Sequence, residues 1–148
     1  MEHNFFVYQR RALRPLLRWG MGSSVVGAAL TLLPHDYWRQ LGTQAVTWGV
    51  IDAALAVAGQ RAALVKAEHS FAGDLSESQE HIAVEQFHRI LLINTGLDVL
   101  YILVGLFTAN RYAEMPKRRG LGHGIAIQGV FLLIFDGLLT RDVRVRWL

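Results

Sequence analysis

Hydrophobic residues in this chain gather into four long runs, at 19–34, 40–60, 90–110 and 120–140, with most charged residues collected in the stretches between them. About 20 apolar residues of helix, rising ~1.5 Å each, match the ~30 Å hydrocarbon core of a bilayer. The pattern predicts an all-α protein, a bundle of four transmembrane helices. A water-soluble bundle would need a polar outer face recurring every third or fourth residue. The run 90–109 offers only Asn94, Thr95, Asp98, Tyr101 and Thr108 as polar groups, and the run 121–140 little beyond His123, Gln128 and Asp136. Neither set suffices to solvate an outer surface.

Local signals divide the chain further. The segment 1–18 mixes Phe5, Phe6, Leu13 and Leu16 with Arg10, Arg11, Arg14 and Arg18, which reads as an interfacial amphipathic stretch, with Pro15 marking a kink or boundary. In the first run Gly20, Ser24 and Ala28 recur every four residues, a small-residue stripe that lets helices approach closely in lipid. Residues 34–42 read as a turn carrying the interfacial aromatics Tyr37 and Trp38. The second helix starts near Thr43 and continues past Gly59 toward His69 through the strong helix formers Ala62, Ala63 and Leu64. The segment 71–74 then breaks it. Ser76, with Gln79 three residues on, reads as an N-cap opening a third helix that runs to Ala109. The stretch 60–88 is thus expected to form a cytosolic helical hairpin extending from the bundle. Residues 110–120 form the next loop, and Gly122 opens the fourth span.

The length of 148 residues suits a single domain. The absence of cysteine removes disulfides, thiolate catalysis and cysteine metal sites from consideration. The net charge of +3 comes from basic residues at helix ends, where they meet lipid headgroups, and no nucleic-acid recognition motif accompanies them. The first run lacks a small-residue cleavage pattern, so it is expected to be retained rather than removed as a signal peptide. Ten of the fifteen Lys and Arg residues fall on the side shared by the N-terminus, the hairpin and the C-terminus. Both termini are accordingly expected to be cytoplasmic.

Three acids interrupt the runs: Asp52, Asp98 and Asp136. A charged carboxylate at the centre of a bilayer costs roughly 2.5–3.5 kcal/mol on insertion scales, so such a residue faces a partner, a cavity or a substrate path. Asp52 lies nine residues before Arg61 and Asp98 nine after Arg89, which sets both at similar depth, with a facing pair expected across the second and third spans. Asp136, five residues before Arg141, is expected nearer the cytoplasmic rim. Asn94 and Tyr101 share a helix face with Asp98, while Gln44 and Trp48 lie on that of Asp52 and Gln128 on that of Asp136. Two acids close together in low dielectric do not both stay ionised, the chemistry of a proton-coupled carrier or an intramembrane acid catalyst. The alternative is that the acids bond their polar neighbours and lock helices together. On the third helix Glu85 and His88 have the spacing used by di-iron bundles. Only Glu68 and His69 are at hand to complete such a site, so the solvated hairpin is the preferred reading and no metal is assigned.

The runs Trp48-Gly49-Val50-Ile51-Asp52, Asn94-Thr95-Gly96-Leu97-Asp98 and Gln128 to Asp136 resemble those of small, functionally uncharacterised bacterial four-helix integral membrane proteins. The resemblance implies a shared fold and no known reaction, and the expected location is the bacterial inner (cytoplasmic) membrane. The chain lacks the acidic first helix and the Asn- and Phe-rich patterns of the small multidrug and fluoride-channel families. The leading expectation is a multi-pass membrane protein whose Asp52, Asp98, Asp136, Asn94, Gln44, Gln128, Trp48 and Tyr101 bind or transport a small polar, cationic or lipid-like ligand with proton coupling. The alternatives are an accessory subunit of a larger membrane complex and an intramembrane acid-base enzyme acting on a lipid or isoprenoid. No cofactor is called for and no catalytic residue is assigned. The expected partners are membrane lipids and either a second copy or a larger complex.

Overall fold

Local chemistry sets where each helix begins and ends. The computed structural model describes residues 4–148, so the first three residues of the 1–18 segment lie outside the described residues. Five helices follow in order: α1 (Phe5–Ala12), α2 (Arg14–Thr31), α3 (Asp36–Ala72), α4 (Glu77–Arg111) and α5 (Pro116–Trp147). The Asn4 side-chain oxygen accepts the Phe6 and Val7 amides at 2.9 and 3.2 Å and starts α1. Pro15 falls in the first turn of α2, where its missing N–H would be unpaired anyway, so the chain restarts at Leu13 as the proline foretells.

Two helix starts differ from expectation. Helix α3 begins at Asp36 rather than near Thr43, because His35 Nδ1 accepts the Tyr37 amide at 3.2 Å and the Asp36 carboxylate sits at the positive end of the helix dipole. Tyr37 and Trp38 are therefore helical. Helix α5 begins at Pro116 rather than Gly122, with proline again at the position that tolerates it, and runs on past Arg141. Elsewhere the expected punctuation holds. Gly73 at φ 79° ends α3, with its amide bonded to Ser70 and that of Asp74 to His69. Ser76 and Gln79 form a reciprocal capping box at the start of α4.

Buried positions recur every seven residues: Gly20 and Gly27 on α2; Gly42, Gly49, Ala56 and Ala63 on α3; Val84, Leu91, Asp98 and Gly105 on α4; Gly122, Gly129, Asp136 and Val143 on α5. A strict seven-residue period keeps one seam facing its neighbour along a supercoiled pair. Two antiparallel pairs result, α2 with α3 and α4 with α5, joined mainly by α3 against α5. The seams are so close that glycine is required. A Cβ on Gly27 would lie 2.6 Å from the Gly42 carbonyl oxygen, and one on Gly105 2.6 Å from that of Gly122. Toward the α3–α4 turn the seam residues grow to Leu91, Val84 and Val143, and α1 fills the widened end. Phe5 and Phe6 of α1 are buried there against Ala67, Leu139 and Val143. Phe6 is only 1% exposed, so this face of the amphipathic segment is turned into the protein.

Helices α3, α4 and α5 are long and apolar enough to cross a membrane. Helix α2 is not counted with them: its 18 residues begin with Arg14 and Arg18 and rise only about 27 Å. The outer faces are apolar, with Leu103 and Phe107 on α4 60% and 69% exposed. Large contiguous apolar exposure of this kind is foreign to water-facing monomers.

Candidate functional site

All three aspartates point inward, each at a buried position of its helix. Asp52 on α3 accepts a hydrogen bond from the side-chain amide of Gln128 on α5. The Gln128 amide oxygen accepts the indole N–H of Trp19 on α2 at 3.0 Å. The indole nitrogen only donates, so it fixes which end of the Gln128 amide faces it and leaves the NH₂ group for Asp52. Trp19 is itself held by a stack on Phe131, with ring centroids 4.1 Å apart and planes at 5°. The three helices are thereby joined through one relay of side chains.

Asp98 and Asp136 lie within hydrogen-bond reach of each other across the α4–α5 seam, and Asp52 is close enough to interact with both through space. Two carboxyl groups bond only by holding a proton between them. The expected direct pairing of Asp52 with Asp98 across α3 and α4 is replaced by partners on α5, since α3 packs on α2 and α5 rather than along α4. Asp136 also belongs with Asp98 rather than apart from it near the rim. Helical side chains lean toward the N-terminus of their own helix, and in an antiparallel pair this brings Asp98 and Asp136 toward each other. Gly129 lets α4 and α5 approach closely beside Asp98: a Cβ there would meet the Asp98 backbone carbonyl oxygen at 3.0 Å.

A cavity of about 310 Å³ opens between α2, α3 and α5 on the other side of Gln128. Its walls include Trp19, Ser23, Gln44, Trp48 and Ile127, with Arg18 at one end. Gln128 is thus the polar residue shared by the cavity and the acid cluster. The size falls in the ~300–1,000 Å³ range of small-molecule sites, which combine mostly apolar walls with a few placed polar groups. Gln44 lies against Gly124, where a Cβ would come within 2.6 Å of its own Cβ. Trp48 contacts Tyr101 of α4 at 5.5 Å between ring centroids. Asn94 is half-buried one turn from Asp98 and makes no side-chain hydrogen bond among the described residues.

Trp19 was not among the residues singled out from sequence. Its signal was available: an isolated tryptophan entering an apolar run carries an N–H that needs an acceptor once buried. Two histidines of the α3–α4 hairpin pair with acids, His81 with Glu85 at 3.3 Å and His69 with Asp74 at 3.1 Å, while His88 Nε2 is buried without a hydrogen-bond partner among the described residues. Among the described residues no three metal-ligating side chains stand together. His123, at the other end of the bundle, bonds the Tyr37 hydroxyl through Nδ1 at 2.8 Å.

Fold and site together define a small all-helical bundle with glycine seams, in which three carboxyl groups meet beside a cavity. The chain belongs to the family of unknown function DUF6992, whose profile covers residues 15–137. That span takes in Trp19 and all three aspartates while leaving α1 and the end of α5 outside. No curated protein and no solved structure matches the chain.

Proposed function

We propose that this protein is a four-span membrane carrier in which the aspartate cluster moves protons and the adjoining cavity binds a small polar or cationic ligand. The relay from Trp19 through Gln128 to Asp52 carries this reading, because one side chain touches both the cavity and the acids. The apolar outer faces support the bilayer setting. In that setting α2 crosses with α3 as a hairpin, its short apolar length seated in the glycine seam. The α3–α4 turn and both chain ends share the cytoplasmic side of a bacterial inner membrane, following the excess of Lys and Arg there. Aromatic walls at Trp19 and Trp48 suit a cation with an apolar body. Protonation of the cluster removes the charge that attracts it, which couples the two fluxes.

Reconstituted liposomes carrying an imposed pH gradient are expected to accumulate ethidium, an aromatic cation, through the wild-type protein. Asp52→Asn and Asp98→Asn are expected to abolish accumulation while leaving the elution volume in detergent unchanged. Uptake by Asp52→Asn at the wild-type rate would end the carrier reading. A helix-locking role in a larger complex is the second reading, favoured by the Gln128–Asp52 bond that ties α3 to α5. It requires instead that both substitutions impair folding and that the wild-type chain co-purify with a larger assembly in mild detergent.

A further inference from the structure

A second recess, of about 880 Å³, lies on the opposite side of the Trp19–Phe131 stack, between the α1–α2 junction and the final turns of α5. Its floor is apolar, built from Pro15, Phe131, Ile134, Phe135 and Leu138. Ile134 and Leu138 are 57% and 62% exposed, so the recess is open along its outer side. At the far end the character changes: Arg11, Arg141 and Arg146 line the groove, with Asp142 as the only acid among its described lining residues. Asp142 is already committed, accepting hydrogen bonds from the Tyr8 hydroxyl at 2.7 Å and from Arg146 Nε at 2.6 Å. Arg141 has no ion-pair partner among the described residues.

We propose that this groove is a binding site for one anionic phospholipid, its acyl chain lying along Phe131, Ile134 and Leu138 and its phosphate at Arg141. Three observations select that occupant. The floor is continuous with the apolar outer face of α5, so a chain from the surrounding bilayer enters sideways without crossing a polar barrier. Arg146 already engages Asp142, which leaves the Arg141 guanidinium at the polar end to favour an anionic headgroup over a zwitterionic one. The change from apolar floor to arginine rim occurs along a single helix, as head and tail do along one lipid. Phe131 lines the groove and stacks on Trp19 of the relay, so the occupant rests against the ring that backs Trp19. This inference needs the bilayer setting but not the carrier activity, and its test uses neither Asp52 nor Gln128.

The purified full chain in mild detergent is titrated with phosphatidylglycerol or phosphatidylcholine, and bound lipid is counted by native mass spectrometry. The wild type is expected to retain one phosphatidylglycerol and to release phosphatidylcholine. Arg141→Gln is expected to weaken retention about fivefold, the factor that one arginine supplies near an anionic surface. Ile134→Trp, at an exposed position that fills the floor, is expected to block retention without unfolding. Arg144→Gln, exposed at the same end but outside the groove, is expected to change nothing. Equal retention of the two lipids would reduce the groove to ordinary lipid-facing surface. An equal loss in Arg144→Gln and Arg141→Gln would replace the site with a diffuse basic field. Displacement of phosphatidylglycerol by inorganic phosphate alone would remove the role of the acyl chain. Each of these results overturns the proposal.

Discussion

Replacing Gln128 with leucine is the sharpest test of the relay, because one substitution strands two groups at once. Leucine matches glutamine closely in size and leaves the α2–α3–α5 contact filled. Asp52 then loses the amide N–H that it accepts, and Trp19 loses the acceptor for its indole N–H. A buried polar group left without its partner costs about 1–3 kcal/mol in water-soluble proteins. Hydrogen bonds inside membrane bundles average nearer 0.6 and reach about 1.7 kcal/mol. Two such losses in a bilayer setting amount to about 1–3 kcal/mol. The Asp52→Ala variant removes the acid and leaves only the Gln128 N–H groups unpaired. In the double variant Gln128→Leu/Asp52→Ala the shared bond is absent from both sides, so its cost must fall below the sum of the singles by about 1 kcal/mol. Unfolding in mixed detergent micelles, followed by tryptophan fluorescence and by helical circular dichroism, measures all four corners of this cycle. A coupling below about 0.3 kcal/mol, the ordinary scatter of independent sites, would refute the relay.

Other consequences follow from the same geometry. Gly105→Val places atoms where a Cβ alone would already lie 2.5 Å from the Ala126 amide nitrogen, and is expected to lower stability by about 1–3 kcal/mol or more. Gly96→Ala, on an open face of the same helix, is expected to be neutral or to gain up to about 1 kcal/mol; equal losses in both variants by thermal unfolding would contradict the close seam. Phe6→Ala empties the wedge between the ends of α3, α4 and α5 and is expected to cost about 3–5 kcal/mol, with hydrogen exchange rising first in α1. Wild-type exchange rates in α1 of that variant would show that the wedge is not held by this ring. Quenching of Trp19 and Trp48 by ethidium is expected to strengthen as pH rises, since deprotonated carboxyl groups attract a cation and protonated ones do not. Quenching that weakens with pH would reverse the sign of the proposed coupling.

The helical runs, the Ser76 cap, the Gly73 stop and the four polar residues Asp52, Asp98, Gln128 and Asp136 were legible because each depends on nearby sequence. Helix α5 coming between the acids of α3 and α4 was not, since adjacency in the chain favours packing α3 against α4 and no local signal opposes it. The seven-residue period was present in the sequence, in Gly42 and Gly49 or Gly122 and Gly129, but a stripe with a four-residue spacing masks it in α2. The early starts of α3 and α5 escaped notice because His35 is an unusual cap and Pro116 reads equally as a loop residue. Phe5 and Phe6 beside arginines satisfy a membrane surface and a protein groove alike, and only tertiary packing decides between them. Trp19 required its acceptor to be known, and that acceptor lies on the last helix.

The docking of α1 also orders events in time. Phe5 and Tyr8 rest on the ring of Trp147, and Tyr8 bonds Asp142, so α1 binds side chains that are made 134 residues or more after it. Until synthesis reaches them, its aromatic face is covered only in part, by Ala67 of α3 and Phe87 of α4. Folding therefore closes on a clasp between segments far apart in the sequence, and trimming the chain before Asp142 would remove the α5 side of that clasp while leaving both glycine seams in place.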